Sequence, residues 1–278
     1  MSVTVAPVAE TSRAPAPLGL PRTLTPSKIS AFTSCPLAFR FSVIERLPEP
    51  ASLPAVRGTL VHRALQLLYT YTDEGARDRH RAEHFLGEAF RELSTEGSEL
   101  AALGLDAEGR ATLLRQAGVL LDRYFEIEDP NSVRPAGLEL DLSVEVGGVV
   151  LRGIIDRLDV LPDGRFAVVD YKTGRAPRAE QARSRLSGVQ LYALLCEEVL
   201  GSRPAAVRLI YLRDRVVISA EPSDMSMRGV LQRAGAVWRA IERACEQADF
   251  RPSPSPLCSW CGFRQYCPAV GGDPDRPR

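Results

Sequence analysis

Apolar residues recur at spacings of three and four through the first half of the chain, and from Leu138 the period changes to two. Thr25-Pro26-Ser27 opens a first helix carrying Ile29, Phe32 and Cys35, with Thr25 or Ser27 available as its cap and Pro26 suited to the first turn. The spacing predicts a second helix over about 56–71, with Leu60, Ala64, Leu67 and Leu68 on one face beside His62 and Arg63. Further helices are expected over roughly 78–95 and 106–127. Leu140, Leu142, Val144 and Val146 then alternate as a strand, Gly147-Gly148 turns the chain, and 149–160 forms the next strand. Pro162-Asp163-Gly164 turns it again into a strand over 166–171, and Val189, Tyr192, Leu195 and Val199 mark a later helical stripe. The order is helical, then strand, then helical. No internal repeat is present.

The ends differ in composition. Residues 1–22 are rich in Pro, Ala, Ser and Thr and are expected to be a disordered leader, and 269–278 a flexible tail. Between them a single domain is expected over 23–268: a helical part at 25–130, a sheet core at 137–220, and a C-terminal helix with a cysteine segment at 224–268.

The strand pattern has a chemical consequence. A hairpin turning about 162–165 sets Asp156 almost opposite Asp170, and cross-strand neighbours lie about 5 Å apart. Asp170 and Lys172 share a strand face because side chains repeat every two residues. Two carboxylates and one ammonium thus converge. Two close carboxylates repel unless a cation neutralises them, and oxygen ligands suit Mg²⁺ or Mn²⁺. Such an ion would activate water against a phosphate while the lysine stabilises the developing charge. A lone Asp-x-Lys at a strand end reads first as a surface ion pair; the second carboxylate at matching register changes that reading.

Composition sharpens Lys172. Of 35 basic residues only Lys28 and Lys172 are lysine, so a compact ammonium stands where this chain otherwise writes a planar guanidinium. Basic and acidic residues balance at 35 each, so overall charge advertises no polyanion partner, although a local groove would suffice for DNA. No stretch approaches the roughly 20 apolar residues of a membrane span, and residues 1–22 lack a secretory pattern; a cytoplasmic location is expected.

Six cysteines in such a chain point to metal ligation or packing rather than disulfides. Cys258, Cys261 and Cys267 form a tight cluster, Cys35 stands far upstream, and Cys196 and Cys245 lie in apolar helical surroundings as fillers. Four thiolates suit either Zn²⁺ or an iron–sulfur cluster.

Gly153-Ile154-Ile155-Asp156-Arg157-Leu158-Asp159 followed by Asp170-Tyr171-Lys172-Thr173-Gly174 resembles the core of the PD-(D/E)XK nuclease superfamily, in its RecB-like exonuclease branch, which includes the AddB nuclease domain and Cas4 proteins. Gly58-Thr59-Leu60-Val61-His62 resembles that branch's Gly-x-x-x-His helix, and Leu24 to Phe32 with Cys35-Pro36 its N-terminal segment. The likeness spans about 23–268. It implies a restriction-endonuclease-like α/β core, a mixed β-sheet flanked by helices, and metal-dependent hydrolysis of DNA from an end, in repair, recombination or CRISPR-adaptation-like processing. By resemblance His62, Asp156 and Asp170 are ligands of Mg²⁺ or Mn²⁺, the Tyr171 carbonyl is a fourth, and Lys172 is catalytic. Cys35, Cys258, Cys261 and Cys267 reproduce the branch's [4Fe-4S] arrangement, with Zn²⁺ as the alternative.

One departure stands out. The branch commonly carries Gln four residues before Tyr, whereas Gln190 and Tyr192 are two apart and face different ways on a helix. Either one alone meets the site or the motif has shifted by half a turn. Arg175, Arg178, Arg183 and Arg185 follow the Lys-Thr-Gly turn as candidate phosphate contacts, while His80 and His84 read as surface residues. The chain carries no Gly-x4-Gly-Lys-Ser/Thr loop, so a helicase or CRISPR-adaptation partner would be separate. The competing classes are a catalytically inactive or redox-sensing iron–sulfur DNA-binding protein and a nuclease with a zinc ribbon.

Overall fold

The structure, a computed structural model, describes residues 18–274 and 276, with the side chains at 179 and 181–189 outside that description. Residues 1–17 of the expected leader, and the side chains of Arg183, Arg185 and Val189, therefore lie outside the described residues.

The first half is helical: α1 (Pro26–Ser34), α2 (Pro36–Phe39), α3 (Leu53–Tyr71), α4 (Arg79–Leu93), α5 (Glu99–Ala102) and α6 (Ala107–Ile127). Each long helix starts where a short polar side chain can satisfy an orphan amide. Thr25 accepts from the Lys28 amide, Ser52 from Ala55, Asp78 from Arg81 and Asp106 from Gly109. Five strands follow, β1 (Pro135–Val146), β2 (Val149–Val160), β3 (Phe166–Lys172), β4 (Ala206–Tyr211) and β5 (Val216–Ala220), in spatial order 1-2-3-4-5. β3 and β4 are parallel and the other pairs antiparallel, which makes the sheet mixed. A parallel step needs a crossover, and α7 (Ala179–Leu200) supplies it before α8 (Asp224–Gln247) follows β5.

The sheet separates two cores. Val168, Val207 and Leu209 pack with α7, α8 and the N-terminal helices. Val169, Tyr171, Ile210 and Leu212 pack against α3, α4 and α6, where the expected face of Leu60, Ala64, Leu67 and Leu68 is buried. The alternation of period two along β3 is thus a choice between two hydrophobic layers rather than between core and water. Cys196 and Cys245 are buried fillers, and His80 and His84 are exposed.

Both ends carry more structure than their composition suggests. Residues 18–22, expected in the disordered leader, lie along α8, where the Leu18 amide donates to the Cys245 carbonyl at 3.0 Å. The chain after Cys267 folds back on itself, with the Gly272 amide on the Cys267 carbonyl at 2.8 Å and the Asp273 amide on Gln265 at 2.9 Å. Composition undervalued these segments because backbone hydrogen bonds to an already folded surface need no apolar pattern. No helix among the described residues is long and apolar enough to cross a membrane.

Candidate active site

The β2–β3 ladder pairs Val160 with Phe166 through Arg157 with Val169 and stops there. One step beyond, Asp156 faces Asp170 across strands that are parting. The amide of Tyr171 would lose its ladder partner at this point, and it donates instead to Asp156 Oδ2 at 2.7 Å. β3 continues against β4 as far as Lys172 and Tyr211, so its carboxyl end remains held on one side and open on the other.

Four expected residues meet in that opening. His62 Nδ1 lies 3.4 Å from Asp156 Oδ2, and the Lys172 ammonium is paired with the Asp170 carboxylate. The Asp170 side chain is 4% exposed and that of Lys172 41%, so the carboxylate is sheltered while the ammonium reaches solvent. Burial pushes the Asp170 carboxyl above its usual range despite Lys172, and the charge of Asp156 pushes the same way. Burial opposes the charge on Lys172, but Asp170 outweighs it and raises the lysine above its ordinary value. Lys172 therefore stays protonated at neutral pH. Burial lowers His62, yet its hydrogen bond to Asp156 and the charges of Asp156 and Asp170 leave it raised.

Glycines let the helices come close enough. Gly58, one turn before His62, lies where a Cβ would come within 3.1 Å of the Thr173 hydroxyl, so α3 rests directly on the turn after Lys172. A Cβ at Gly153 would stand 2.8 Å from both Tyr192 and Leu195. That contact seats α7 on β2 and puts the Tyr192 hydroxyl 3.4 Å from Asp170 Oδ1. Tyr192 is thus the one that reaches the site. Gln190, about 200° round the helix from it, is half-buried. Arg175 and Arg178 are exposed beyond the turn.

The sequence reading missed Glu139. The β1–β2 register pairs Leu138 with Arg157 and Leu140 with Ile155, which brings Glu139 level with Asp156. Its backbone adopts φ 48°, a left-handed conformation that a non-glycine residue rarely takes. One ligand atom each from His62, Glu139 and Asp156 lies within 4.8 Å of the others, a set able to hold a metal ion. Burial, followed by the charge of Asp156, raises the Glu139 carboxyl.

A second constellation lines a separate cavity. Cys35, Cys258, Cys261 and Cys267 line one cavity together with Leu37, Phe41 and Phe263. All four are free thiols. Burial raises the Cys261 thiol, and the other three cysteines are near enough to raise it further. The Ser253 amide donates to Cys35 Sγ at 3.5 Å and the Ser255 amide to Cys258 Sγ at 3.3 Å. The fold thus brings Cys35 to the three C-terminal cysteines from the opposite end of the chain.

The profile of the PD-(D/E)XK nuclease superfamily matches residues 23–268. An ATP-dependent helicase/deoxyribonuclease component from Streptococcus equi subsp. zooepidemicus is 27% identical over 157 residues, 55% of this chain and 14% of that protein. The chain spans only this small part of that relative. The Gene 69 protein of Mycobacterium phage D29 is 23% identical over 262 residues, covering 87% of this chain and 95% of its own. The crystal structure of an exonuclease candidate from Eubacterium rectale shares the fold, with a TM-score of 0.52 and 13% identity over 86% of this chain and 87% of that one. Because the profile runs through both strands of the parted hairpin and the helices that close on it, the chain belongs to the PD-(D/E)XK nuclease superfamily.

Proposed function

We propose that this chain is a metal-dependent deoxyribonuclease that hydrolyses phosphodiester bonds from DNA ends, in repair, recombination or CRISPR-adaptation-like processing. The observation that carries the reading is the convergence of His62, Asp156, Asp170 and Lys172 where β2 and β3 part. His62, Glu139 and Asp156, with Asp170 and the Tyr171 carbonyl beside them, form a nitrogen and oxygen donor set that fits Mg²⁺ or Mn²⁺. A divalent cation bound there supplies the Lewis acidity that phosphodiester hydrolysis needs. Lys172, held protonated, stabilises negative charge on the phosphate and orients the attacking water. Tyr192 places a hydroxyl beside Asp170, and Gln190 belongs to the same helix at the rim. Arg175 and Arg178 contact the DNA backbone beyond the turn. A separate helicase or CRISPR-adaptation protein would be the partner, the name of the streptococcal relative joining helicase and deoxyribonuclease for that protein.

The cysteine cavity is the proposed [4Fe-4S] site. The Ser253 and Ser255 amides donate to cysteine sulfurs as ligating thiolates require, and the likeness of the cysteine spacing to the RecB-like branch favours the cluster over Zn²⁺.

Two measurements follow. With matched linear and covalently closed DNA in Mn²⁺, the linear form is expected to be degraded and the circle to survive; equal loss of both would replace the exonuclease reading with an endonuclease. The second concerns pH. His62 and Asp170 must lose their protons to bind a cation, and both hold them more tightly than usual, His62 through Asp156 and Asp170, Asp170 through burial. Mn²⁺ affinity should therefore rise with pH through the ordinary histidine range near 6.5 and above it, with close to one proton released per ion. In the metal-free protein the sign is opposite: the stability that His62 gains from Asp156 is complete below its unfolded value and is lost as pH rises through its raised folded value. Calorimetry in two buffers of different ionisation heat counts the protons, and an affinity flat across about pH 6–8 would contradict these assignments.

A further inference from the structure

The residues between the site residues form a cluster of their own. Asp156 is followed by Arg157, and Tyr171 stands between Asp170 and Lys172. The Arg157 side chain has no exposed surface, although it carries a full charge. Its guanidinium holds Asp159 through two bonds of 2.8 and 3.0 Å and Glu128 through two of 2.6 and 3.1 Å. It also lies 2.8, 3.1 and 2.6 Å from the hydroxyls of Tyr69, Tyr124 and Tyr171. Taking such a group out of water is costly, and an apolar cluster of equal volume often stabilises a fold as well. What the fork of an arginine adds is direction, since its donors are fixed in one plane.

That direction ends on Tyr171. Its hydroxyl is held by Arg157, its ring meets the His62 ring edge-on with centroids 6.0 Å apart, and its amide holds Asp156 at 2.7 Å. The ring also packs edge-on against Tyr124 at 5.8 Å. One residue, clamped at its far end, thus touches both His62 and Asp156. We infer that Tyr171 is a positioning residue: gripped through its hydroxyl by Arg157, it fixes His62 relative to Asp156 and so sets the affinity of the site for its cation. The inference rests on the metal-site reading above. It assigns to the buried Arg157 cluster a role that its burial alone does not explain.

The test is direct Mn²⁺ binding to the full chain, followed by calorimetry or by loss of the free-ion spin-resonance signal, alongside thermal melting. Tyr171→Phe removes one hydroxyl and keeps the ring, and should weaken Mn²⁺ binding about tenfold, the lower end of what changes behind the ligands cost. Tyr124→Phe removes a comparably buried hydroxyl from the same guanidinium, but α6 carries no site residue. It should lower the melting temperature to a similar extent and leave Mn²⁺ affinity within about twofold of wild type. Arg157→Met should reproduce the Tyr171→Phe loss if it folds; Tyr171→Phe decides the matter if it does not. Unchanged binding in Tyr171→Phe, or equal weakening in Tyr171→Phe and Tyr124→Phe, would overturn the inference. Asp156→Asn separates the positioning role from the metal site. Binding lost in Asp156→Asn but kept in Tyr171→Phe removes the positioning role alone, whereas binding indifferent to Asp156→Asn removes the metal site and the inference with it.

Discussion

Lys172→Ala is expected to lower the rate of DNA hydrolysis by about 10²- to 10³-fold, the usual cost of losing one preorganised charge at a phosphoryl or acyl centre. The loss should fall on kcat more than on KM, because the ammonium is aimed at the site rather than along the DNA path. The fold should survive: the side chain is 41% exposed, and burial already raises the Asp170 carboxyl, so losing the ammonium that lowers it lets the stranded carboxylate take up a proton more readily. Lys172→Arg should restore little, since a wide planar fork does not reproduce the compact ammonium paired with the Asp170 carboxylate. Initial rates of label release at saturating Mn²⁺ measure this, and an alanine variant within about threefold of wild type would be incompatible with the assigned role.

Replacing any one of Cys35, Cys258, Cys261 or Cys267 by alanine is expected to destabilise the fold rather than merely slow the reaction. The cavity joins the N-terminal helices to the C-terminal segment, where Phe41 packs on Phe263 and Tyr266 with centroids 5.7 Å apart in each case. With the proposed cluster bound, losing one of its cysteines loses the cross-link between these ends, so the cost should be on the order of 3 kcal/mol or more, or roughly 10 °C in Tm. All four variants should lose iron and visible absorbance together. Cys196→Ala, a buried cysteine outside the cavity, should keep both and lose only the modest packing contribution of a small side chain. An alanine variant of the four that kept full iron content would break the set.

The hairpin arithmetic made most of the site legible. A turn at Pro162-Asp163-Gly164 was enough to set Asp156 level with Asp170, and period two put Lys172 beside it. The same arithmetic across Gly147-Gly148 sets Glu139 level with Asp156, a signal present in the sequence but hidden inside an ordinary alternation of Leu138 and Leu140. Arg157 was visible in its motif, yet its partners Tyr69, Tyr124 and Glu128 come from α3, α6 and the turn after α6, and no local periodicity says which helices will cover which strand. The spacing of Gln190 and Tyr192 left two choices open. Gly153 decides between them, because its missing Cβ is what lets Tyr192 approach Asp170.

The parted end of β2 and β3 is proposed to cleave DNA with a divalent cation. Anaerobically purified protein should be incubated with end-labelled single- and double-stranded DNA in Mg²⁺, in Mn²⁺ and in excess EDTA, with Asp156→Asn in parallel. Release of short labelled products by the wild type is expected in at least one of the two metals, with none in EDTA and none from Asp156→Asn. Digestion that persists in EDTA, or that Asp156→Asn performs as well as the wild type, would contradict it.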